Sequence, residues 1–200
     1  EIASCLVGSE MCIRDREETA TLVGQGANRQ YVTIDEIPLD LQHAFVAIED
    51  ERFYDHNGID LHGIGRAFIS GLSKGRFSEG ASTITQQLIK NNVLTSWTSE
   101  TSFVEKLQRK IQEQYLALEL EKQVKDKDWI LENYMNSVNL GANTLGVQAA
   151  SKKYFNKDVS ELTLSEASVI AGITQNPSGY NPITPVSYTH LRAHETRGNL

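Results

Sequence analysis

Residues 44–60, AFVAIEDERFYDHNGID, place a carboxylate where an amphipathic helix normally carries an apolar side chain. Phe45, Glu49 and Phe53 are spaced i, i+4 and i+8, which puts them in one stripe along a helix. This spacing predicts a helix that ends before Asn57 and turns Glu49 inward. A carboxylate among apolar neighbours loses hydration and becomes a stronger base, which suits it to accept a proton during catalysis.

A solvated glutamate is the alternative interpretation of Glu49. Asp50 and Glu51 follow it directly, and such a run of charges fits an exposed helix face equally well. The spacing alone favours neither a buried base nor a solvated charge.

Three further stretches combine polar or charged residues with helical spacing. They are residues 80–91 (GASTITQQLIKN), residues 109–113 (RKIQE) and residues 128–141 (DWILENYMNSVNLG). Together with residues 49–58, EDERFYDHNG, they resemble the four signatures of the peptidoglycan glycosyltransferases. This family 51 domain occurs in class A penicillin-binding proteins and in monofunctional transglycosylases. The signatures stand in family order, and the resemblance extends from about residue 34 to residue 182.

The expected fold class is all-α, because no alternation of apolar and polar residues is sustained enough for a sheet. One long helix, ending near Glu121, is predicted by the stripe of Val104, Leu107, Ile111 and Leu118. The resemblance implies a lysozyme-like fold with two lobes around a cleft. It also implies a small membrane-facing jaw at about residues 92–103, where Trp97 suits a membrane surface.

The resemblance implies an inverting glycosyltransferase. Its substrate would be lipid II, a lipid-linked disaccharide-peptide, polymerised into β-1,4-linked glycan strands with release of polyprenyl diphosphate. Glu49 would be the general base, and Glu113 would assist the leaving side by orienting Arg109 and Lys110. The other residues at matching signature positions would bind substrate: Asp50, Arg52, Phe53, His56, Ser82, Thr83, Thr85, Gln86, Gln87, Lys90 and Asn136.

Two of these groups also have ordinary structural interpretations. Thr83 and Gln86 have the spacing of a capping box, so this region can begin a helix as well as bind a diphosphate at its N-terminus. Arg109 and Glu113 stand at i and i+4, where they can pair along one helix, although basic before acidic is the less favourable order. The family resemblance favours the functional interpretation of both groups.

Cofactors and partners follow from the resemblance and from charge. No second His or Cys stands at metal-ligand spacing from His56, which suits a structural hydrogen bond better. No cofactor is expected to be required, and a divalent cation, Mg²⁺ or Mn²⁺, is left open. The implied partners are lipid II, the growing glycan strand, the membrane surface and cell-wall synthesis or division proteins. The net charge of −7 argues against nucleic acid.

The implied location is the extracytoplasmic face of the bacterial cell membrane, with the anchor segment missing from this chain. Two other function classes remain open from the residues. A lysozyme-like hydrolase or lytic transglycosylase also needs an inward glutamate but no diphosphate site. A non-catalytic helical module that binds glycan or a division partner needs neither. The polar second signature and the basic third signature favour the glycosyltransferase over both.

The two ends of the chain are predicted to be foreign to the domain. Residues 6–15, LVGSEMCIRD, can be encoded by a DNA element whose reverse complement encodes VSYTHLRAHE, the sequence of residues 186–195. This relation is typical of a sequencing adapter left on both ends of an assembled fragment. Residues 1–16 and 186–200 are therefore excluded from the fold, which leaves one glycosyltransferase domain at residues 17–185. Both cysteines fall in the first end and say nothing about redox compartment.

Overall fold

A computed structural model of the chain describes residues 30–74, 82–93 and 103–183. Within these residues the chain forms seven α-helices and two short 3-10 helices. The α-helices are α1 (Leu39–Glu49), α2 (Leu61–Lys74), α3 (Ile84–Asn92), α4 (Phe103–Val124), α5 (Lys127–Ser137), α6 (Val147–Phe155) and α7 (Leu164–Ile173), and the 3-10 helices are Ile34–Glu36 and Val159–Glu161. The predicted foreign ends and most of the predicted jaw lie outside the described residues.

The described residues contain no β-strand, only an isolated antiparallel bridge between Asn139 and Leu145. The all-α class predicted from the sequence is therefore confirmed. No helix in the described ranges combines the length and the apolar content needed to cross a membrane.

The chain divides into two compact units, and the two boundaries within the described residues fall inside helices, α1 and α5. Among the described residues, unit 1 contains 49–74, 82–93 and 103–134, and unit 2 contains 30–48 and 135–183. Every predicted site residue except Asn136 belongs to unit 1.

The core of unit 1 includes the contact between α3 and α4. Ile84, Leu88 and Ile89 of α3 are fully buried, as are Ala117 and Leu120 of α4. Burying one Ile or Leu side chain stabilises a fold by about 1.5–3 kcal/mol, so this contact is a main source of stability. It fixes the second and third signatures on helices that are packed together.

The first signature reaches this core through a turn at Gly58. The φ angle of Gly58 is +88°, in the left-handed region that favours glycine. A Cβ at this position would lie 2.7 Å from the carbonyl oxygen of Ala117, so glycine alone permits this close approach. The turn therefore fixes the first signature against α4.

In unit 2, α6 packs against α7 and against the 3-10 helix Val159–Glu161. A capping box begins α7, because the Thr163 side chain accepts from the Glu166 amide while the Glu166 side chain accepts from the Thr163 amide. Capping groups of this kind satisfy helix amides that have no partner within the helix. The start of α7 is thereby defined locally.

The first helix ends earlier than the spacing predicted. α1 stops at Glu49, and residues 51–55 form turns in which the Phe53 amide donates to the Asp50 carbonyl at 2.9 Å. Glu49 and Phe53 therefore do not share a helical stripe. The reason is a long-range contact, since the Asp50 side chain accepts from the Ile84 amide at the start of α3. Local spacing carries no information about a partner 34 positions away.

In α4 the apolar stripe is exposed and the buried face carries charged residues, which is the reverse of the usual arrangement. The stripe that predicts this helix is between 45% and 62% exposed, at Val104, Leu107, Ile111 and Leu118. The buried face instead carries two carboxylates, Glu113 and Glu121, beside Ala117 and Leu120. Buried carboxylates require charged or hydrogen-bonding partners, so the apolar core at this face also contains polar groups.

Candidate functional site

Glu49 is the last residue of α1, and its side chain is half-buried. The side-chain amide of Gln87, on α3, donates from Nε2 to Glu49 Oε2 at 2.7 Å. The hydroxyl of Tyr134, on α5, donates to Gln87 Oε1 at 3.2 Å. The predicted base therefore accepts a hydrogen bond from a neutral amide.

Tyr134 is fully buried at the other end of this pair of hydrogen bonds. Burial raises the pKa of Tyr134 well above its usual range, and the negative charges of Glu49 and Asp50 raise it further. The phenol is therefore protonated at neutral pH and can donate a hydrogen bond.

Asp50 is more deeply buried than Glu49 and has two partners. Its Oδ2 accepts from the Ile84 amide at 3.0 Å, and both of its oxygens lie 3.0 Å from His56 Nε2. His56 Nδ1 accepts from the Gly58 amide at 3.2 Å, which assigns the ring proton to Nε2 and directs it to Asp50. Asp50 and His56, both predicted to contact substrate, hold each other and the start of α3.

Arg52 and Phe53 also make contacts inside the first signature. Arg52 pairs with Asp60 through two N–H groups, at 2.5 and 3.3 Å. This hydrogen bonding lowers the pKa of the Asp60 carboxyl to about 2. Phe53 is fully buried, and Lys127 Nζ lies 4.6 Å from the centre of its ring. The described contacts of both residues stabilise the loop that follows Glu49.

The second signature begins α3. Thr83 is the N-cap, and its side chain accepts from the Gln86 amide at 3.2 Å. Thr83, Thr85 and Gln86 are all buried, so their side chains lie in the interior of unit 1. The positive end of the helix dipole is met by the carboxylate of Asp50. At these three positions the geometry favours the structural interpretation over a diphosphate site.

A cationic cluster is formed by Ser82, Arg109, Lys110 and Glu113. Glu113 is 1% exposed; Arg109 Nη1 contacts its Oε1, and Lys110 Nζ lies 2.9 Å from its Oε2. Lys110 Nζ also donates to Ser82 Oγ at 2.5 Å. The side chains of Arg109 and Lys110 remain 22% and 39% exposed. The predicted pairing with Glu113 and a site for an anion are therefore compatible.

Lys90 and Asn136 complete the predicted set. Lys90 lies in the last turn of α3 and is exposed. Asn136 belongs to unit 2, where its side chain accepts from the Val32 amide at 3.0 Å and donates to the Val32 carbonyl at 2.8 Å. These two bonds fix the segment that precedes the first 3-10 helix.

Sequence reasoning missed a partly buried ion pair. Lys127 Nζ lies 2.6 Å from Glu121 Oε2, and the Thr85 hydroxyl donates to Oε1 of the same carboxylate at 2.5 Å. Lys127 also donates to the His56 carbonyl at 2.6 Å. The pair connects the first signature with α3, α4 and α5. Glu121 and Lys127 lie on different helices, where neither helical spacing nor a capping rule relates them, so no local signal points to the pair.

The described residues do not form a metal site. No group of three or more His, Cys, Asp or Glu in the described ranges is arranged to hold a metal ion. The divalent cation that the sequence left open is not tested by this finding.

Comparison with known proteins decides the family. The family model described as Transglycosylase matches residues 15–199. The chain belongs to the transglycosylase family. The resemblance drawn from the four signatures is confirmed, and with it the enzyme class, a peptidoglycan glycosyltransferase.

Three relatives are similar over most of the chain. Penicillin-binding protein 1A of Clostridium botulinum (strain Langeland) is 49% identical over 166 residues, or 80% of this chain. Penicillin-binding protein 1F of Bacillus subtilis is 43% identical over 175 residues, or 88% of this chain. Penicillin-binding protein 1A of Neisseria flavescens is 44% identical over 164 residues, or 82% of this chain.

These relatives are much longer than the chain. The matched segments cover 19%, 23% and 20% of the three proteins, so the chain spans about a fifth of their length. The family match also runs past residue 185, the predicted end of the domain. The domain boundaries at residues 17 and 185 stay a prediction.

Proposed function

We propose that the protein polymerises lipid II into β-1,4-linked glycan strands and releases polyprenyl diphosphate. The observation that carries this proposal is the cationic cluster, in which two partly exposed cations are held by one buried carboxylate. A glycan hydrolase needs no site for a diphosphate, whereas a transferase that uses a diphosphate-linked donor does. The cluster therefore supports the transferase.

Glu49 takes the proton in this reaction. The 4-hydroxyl of the acceptor sugar transfers its proton to Glu49. At the same time, the oxygen of this hydroxyl attacks the anomeric carbon of the lipid-linked donor. The new bond forms on the face opposite the departing diphosphate, so the anomeric configuration inverts. The amide of Gln87 binds Glu49 without neutralising it, which leaves the carboxylate its charge.

The cationic cluster stabilises the departing diphosphate. The bond between the anomeric carbon and the diphosphate breaks, and negative charge grows on the departing oxygens. Arg109 and Lys110 supply positive charge there, while Glu113 orients both side chains. Hydrogen bonds between charged groups contribute about 1.5–3 kcal/mol each, enough to speed departure tenfold or more per bond. Ser82 adds a hydroxyl beside Lys110.

The test is to incubate the full chain with lipid II and, separately, with preformed glycan. We expect polymer growth and release of polyprenyl diphosphate from lipid II, and no shortening of the preformed glycan. Cleavage of the glycan would identify a lysozyme-like hydrolase or lytic transglycosylase instead. Binding without either reaction would identify a non-catalytic module.

The proposed location is the extracytoplasmic face of the bacterial cell membrane. A polyprenyl carrier keeps the substrate in the lipid phase, which supports contact with a membrane. The proposed partners are the growing glycan strand, the membrane surface and proteins of cell-wall synthesis or division. Co-sedimentation with vesicles that contain or lack lipid II tests the membrane contact. Recovery in the pellet only with lipid II would restrict that contact to the substrate.

A further inference from the structure

We propose that Tyr134 and Gln87 form a positioning relay for Glu49. The relay is the hydroxyl of Tyr134, the side-chain amide of Gln87 and the carboxylate of Glu49, which come from α5, α3 and α1 and all lie in unit 1. It rests on the proposed function, because it takes Glu49 as the base. It changes the predicted task of Gln87 from contacting substrate to holding the base.

The direction of the hydrogen bonds in the relay is set by chemistry. An ionised carboxylate only accepts hydrogen bonds, so the side of Gln87 that faces Glu49 must be its NH₂ group. The carbonyl oxygen of the same amide then faces Tyr134, whose hydroxyl must donate. Burial keeps the proton on this phenol because it raises the pKa of Tyr134.

Each member of the relay orients the next. Tyr134 is fully buried, so its hydroxyl is held in place by the core of unit 1. The hydroxyl prevents the Gln87 amide from flipping, since a flipped amide would turn its oxygen toward a carboxylate and lose both bonds. The fixed amide then holds Glu49 Oε2, which lies on a half-buried side chain at the end of a helix. A base with one orientation reacts faster than a base that samples several.

Two variants test the relay in the full chain. Tyr134→Phe keeps the buried ring and removes the hydroxyl, and Gln87→Met keeps the length of the side chain and removes its polar atoms. We expect Tyr134→Phe to lower kcat about three- to tenfold and Gln87→Met about ten- to a hundredfold, each with KM nearly unchanged. If Tyr134 acts through Gln87, the double variant should be no slower than Gln87→Met alone.

The pH profile gives a second readout. The Gln87 amide donates directly to the carboxylate that takes the proton, so its loss should change the acidic limb of the kcat profile. Tyr154→Phe is the matched control, because the Tyr154 hydroxyl donates to the Leu140 carbonyl at 2.6 Å in unit 2. This control should reduce Tm and leave kcat and the pH profile unchanged.

Two results would overturn the relay. One is an additive loss of rate when Tyr134→Phe and Gln87→Met are combined. The other is a Gln87→Met variant with raised KM and unchanged kcat, which would return Gln87 to direct contact with substrate.

A measurement without substrate separates failure of the relay from failure of the proposed function. The ¹³C chemical shift of the Glu49 carboxyl at neutral pH should differ between Gln87→Met and the unchanged chain, because the carboxylate loses the hydrogen bond from the Gln87 amide. An unchanged signal would refute the relay whatever the activity. A changed signal, with Glu49→Gln still polymerising lipid II, would support the hydrogen-bonded relay and refute Glu49 as the base.

Discussion

Two glutamates of unit 1 have opposite surroundings. Glu49 is half-buried at the end of α1 and accepts a hydrogen bond from the neutral amide of Gln87. Glu113 is almost completely buried in α4 and contacts two cations, Arg109 and Lys110. A neutral donor orients a carboxylate and leaves its charge in place, whereas two cations neutralise it. The first arrangement suits a base, and the second suits a counter-ion.

In the proposed reaction, this difference lets unit 1 accept a proton at Glu49 and stabilise negative charge at Arg109 and Lys110. A proton must leave the acceptor hydroxyl while negative charge builds on the diphosphate. A carboxylate facing the departing diphosphate without cations would repel it. Pairing Glu113 with Arg109 and Lys110 gives that part of unit 1 a positive balance, since two cations share one anion.

Glu49→Gln should give the largest loss of activity. The variant keeps the shape and the ability to accept from Gln87 but cannot take a proton, so turnover should fall by about two to four orders of magnitude. Binding of lipid II and Tm should change little. Polymerisation assays, binding assays and thermal melts measure the three quantities. Glu51→Gln is the matched control, because the neighbouring Glu51 side chain is 73% exposed.

Two other results would assign the role of general base to a neighbouring carboxylate. Near-normal polymerisation by Glu49→Gln, together with loss of activity in Asp50→Asn, would assign the proton to Asp50. The same loss in Glu51→Gln would assign it to Glu51. Tm must be measured for Asp50→Asn, since Asp50 also holds His56 and the start of α3.

Glu113→Gln should destabilise the fold where Glu49→Gln does not. A neutral side chain leaves Arg109 and Lys110 uncompensated, and breaking a buried pair costs about 3–5 kcal/mol, or about 2–4 here because both cations reach solvent. The expected fall in Tm is about 5–15 °C for a domain of this size. Thermal melts of both variants in parallel measure the contrast. Equal Tm values would show that Glu113 is not a structural counter-ion.

The sequence predicted the helices better than it predicted their contacts. The spacing from Val104 to Leu118 correctly predicted one long helix, observed as Phe103–Val124. It could not predict that this apolar stripe would be exposed while Glu113 and Glu121 are buried. Periodicity gives the helix, but partners from other elements decide which face is covered.

The signatures select the residues of the candidate site but do not indicate the hydrogen bonds between them. Glu49 and Gln87 were both predicted by the signatures, yet their hydrogen bond joins positions 38 apart. The early end of α1 has the same cause, because Asp50 binds Ile84 across 34 positions. Local rules describe neighbours in the chain, and these contacts form only when α3 packs beside the first signature.

Arg109→Ala should slow the reaction with little loss of stability. Lys110 still neutralises the buried Glu113, so Tm should fall by no more than about 2 °C. Loss of one charged contact to the diphosphate should lower the polymerisation rate about ten- to a hundredfold. Lys122→Ala is the control on the same helix, because Lys122 is exposed and its pair with Glu119 is 3.8 Å long. A large fall in Tm without a specific loss of rate would identify Arg109 as structural.

Asp60→Asn tests a third carboxylate, paired with a cation outside the cationic cluster. Arg52 lowers the pKa of Asp60 from its ordinary value of 3.8 to about 2. Because the folded pKa is the lower one, ionised Asp60 stabilises the fold above about pH 4, and this contribution is lost as pH falls toward 2. Asp60→Asn should therefore lower Tm by a few degrees at pH 7, and its difference from the unchanged chain should shrink below pH 4.

Thermal melts from pH 2 to pH 7 measure that difference, with Asp55→Asn as the control because Asp55 is exposed. The control should match the unchanged chain across the range. A Tm difference for Asp60→Asn that persists at pH 2 would mean that Asp60 stabilises the loop through shape and neutral hydrogen bonds. In that case the charge of Asp60 would contribute nothing to the stability of the fold. A cation partner would then not separate structural carboxylates from Glu49.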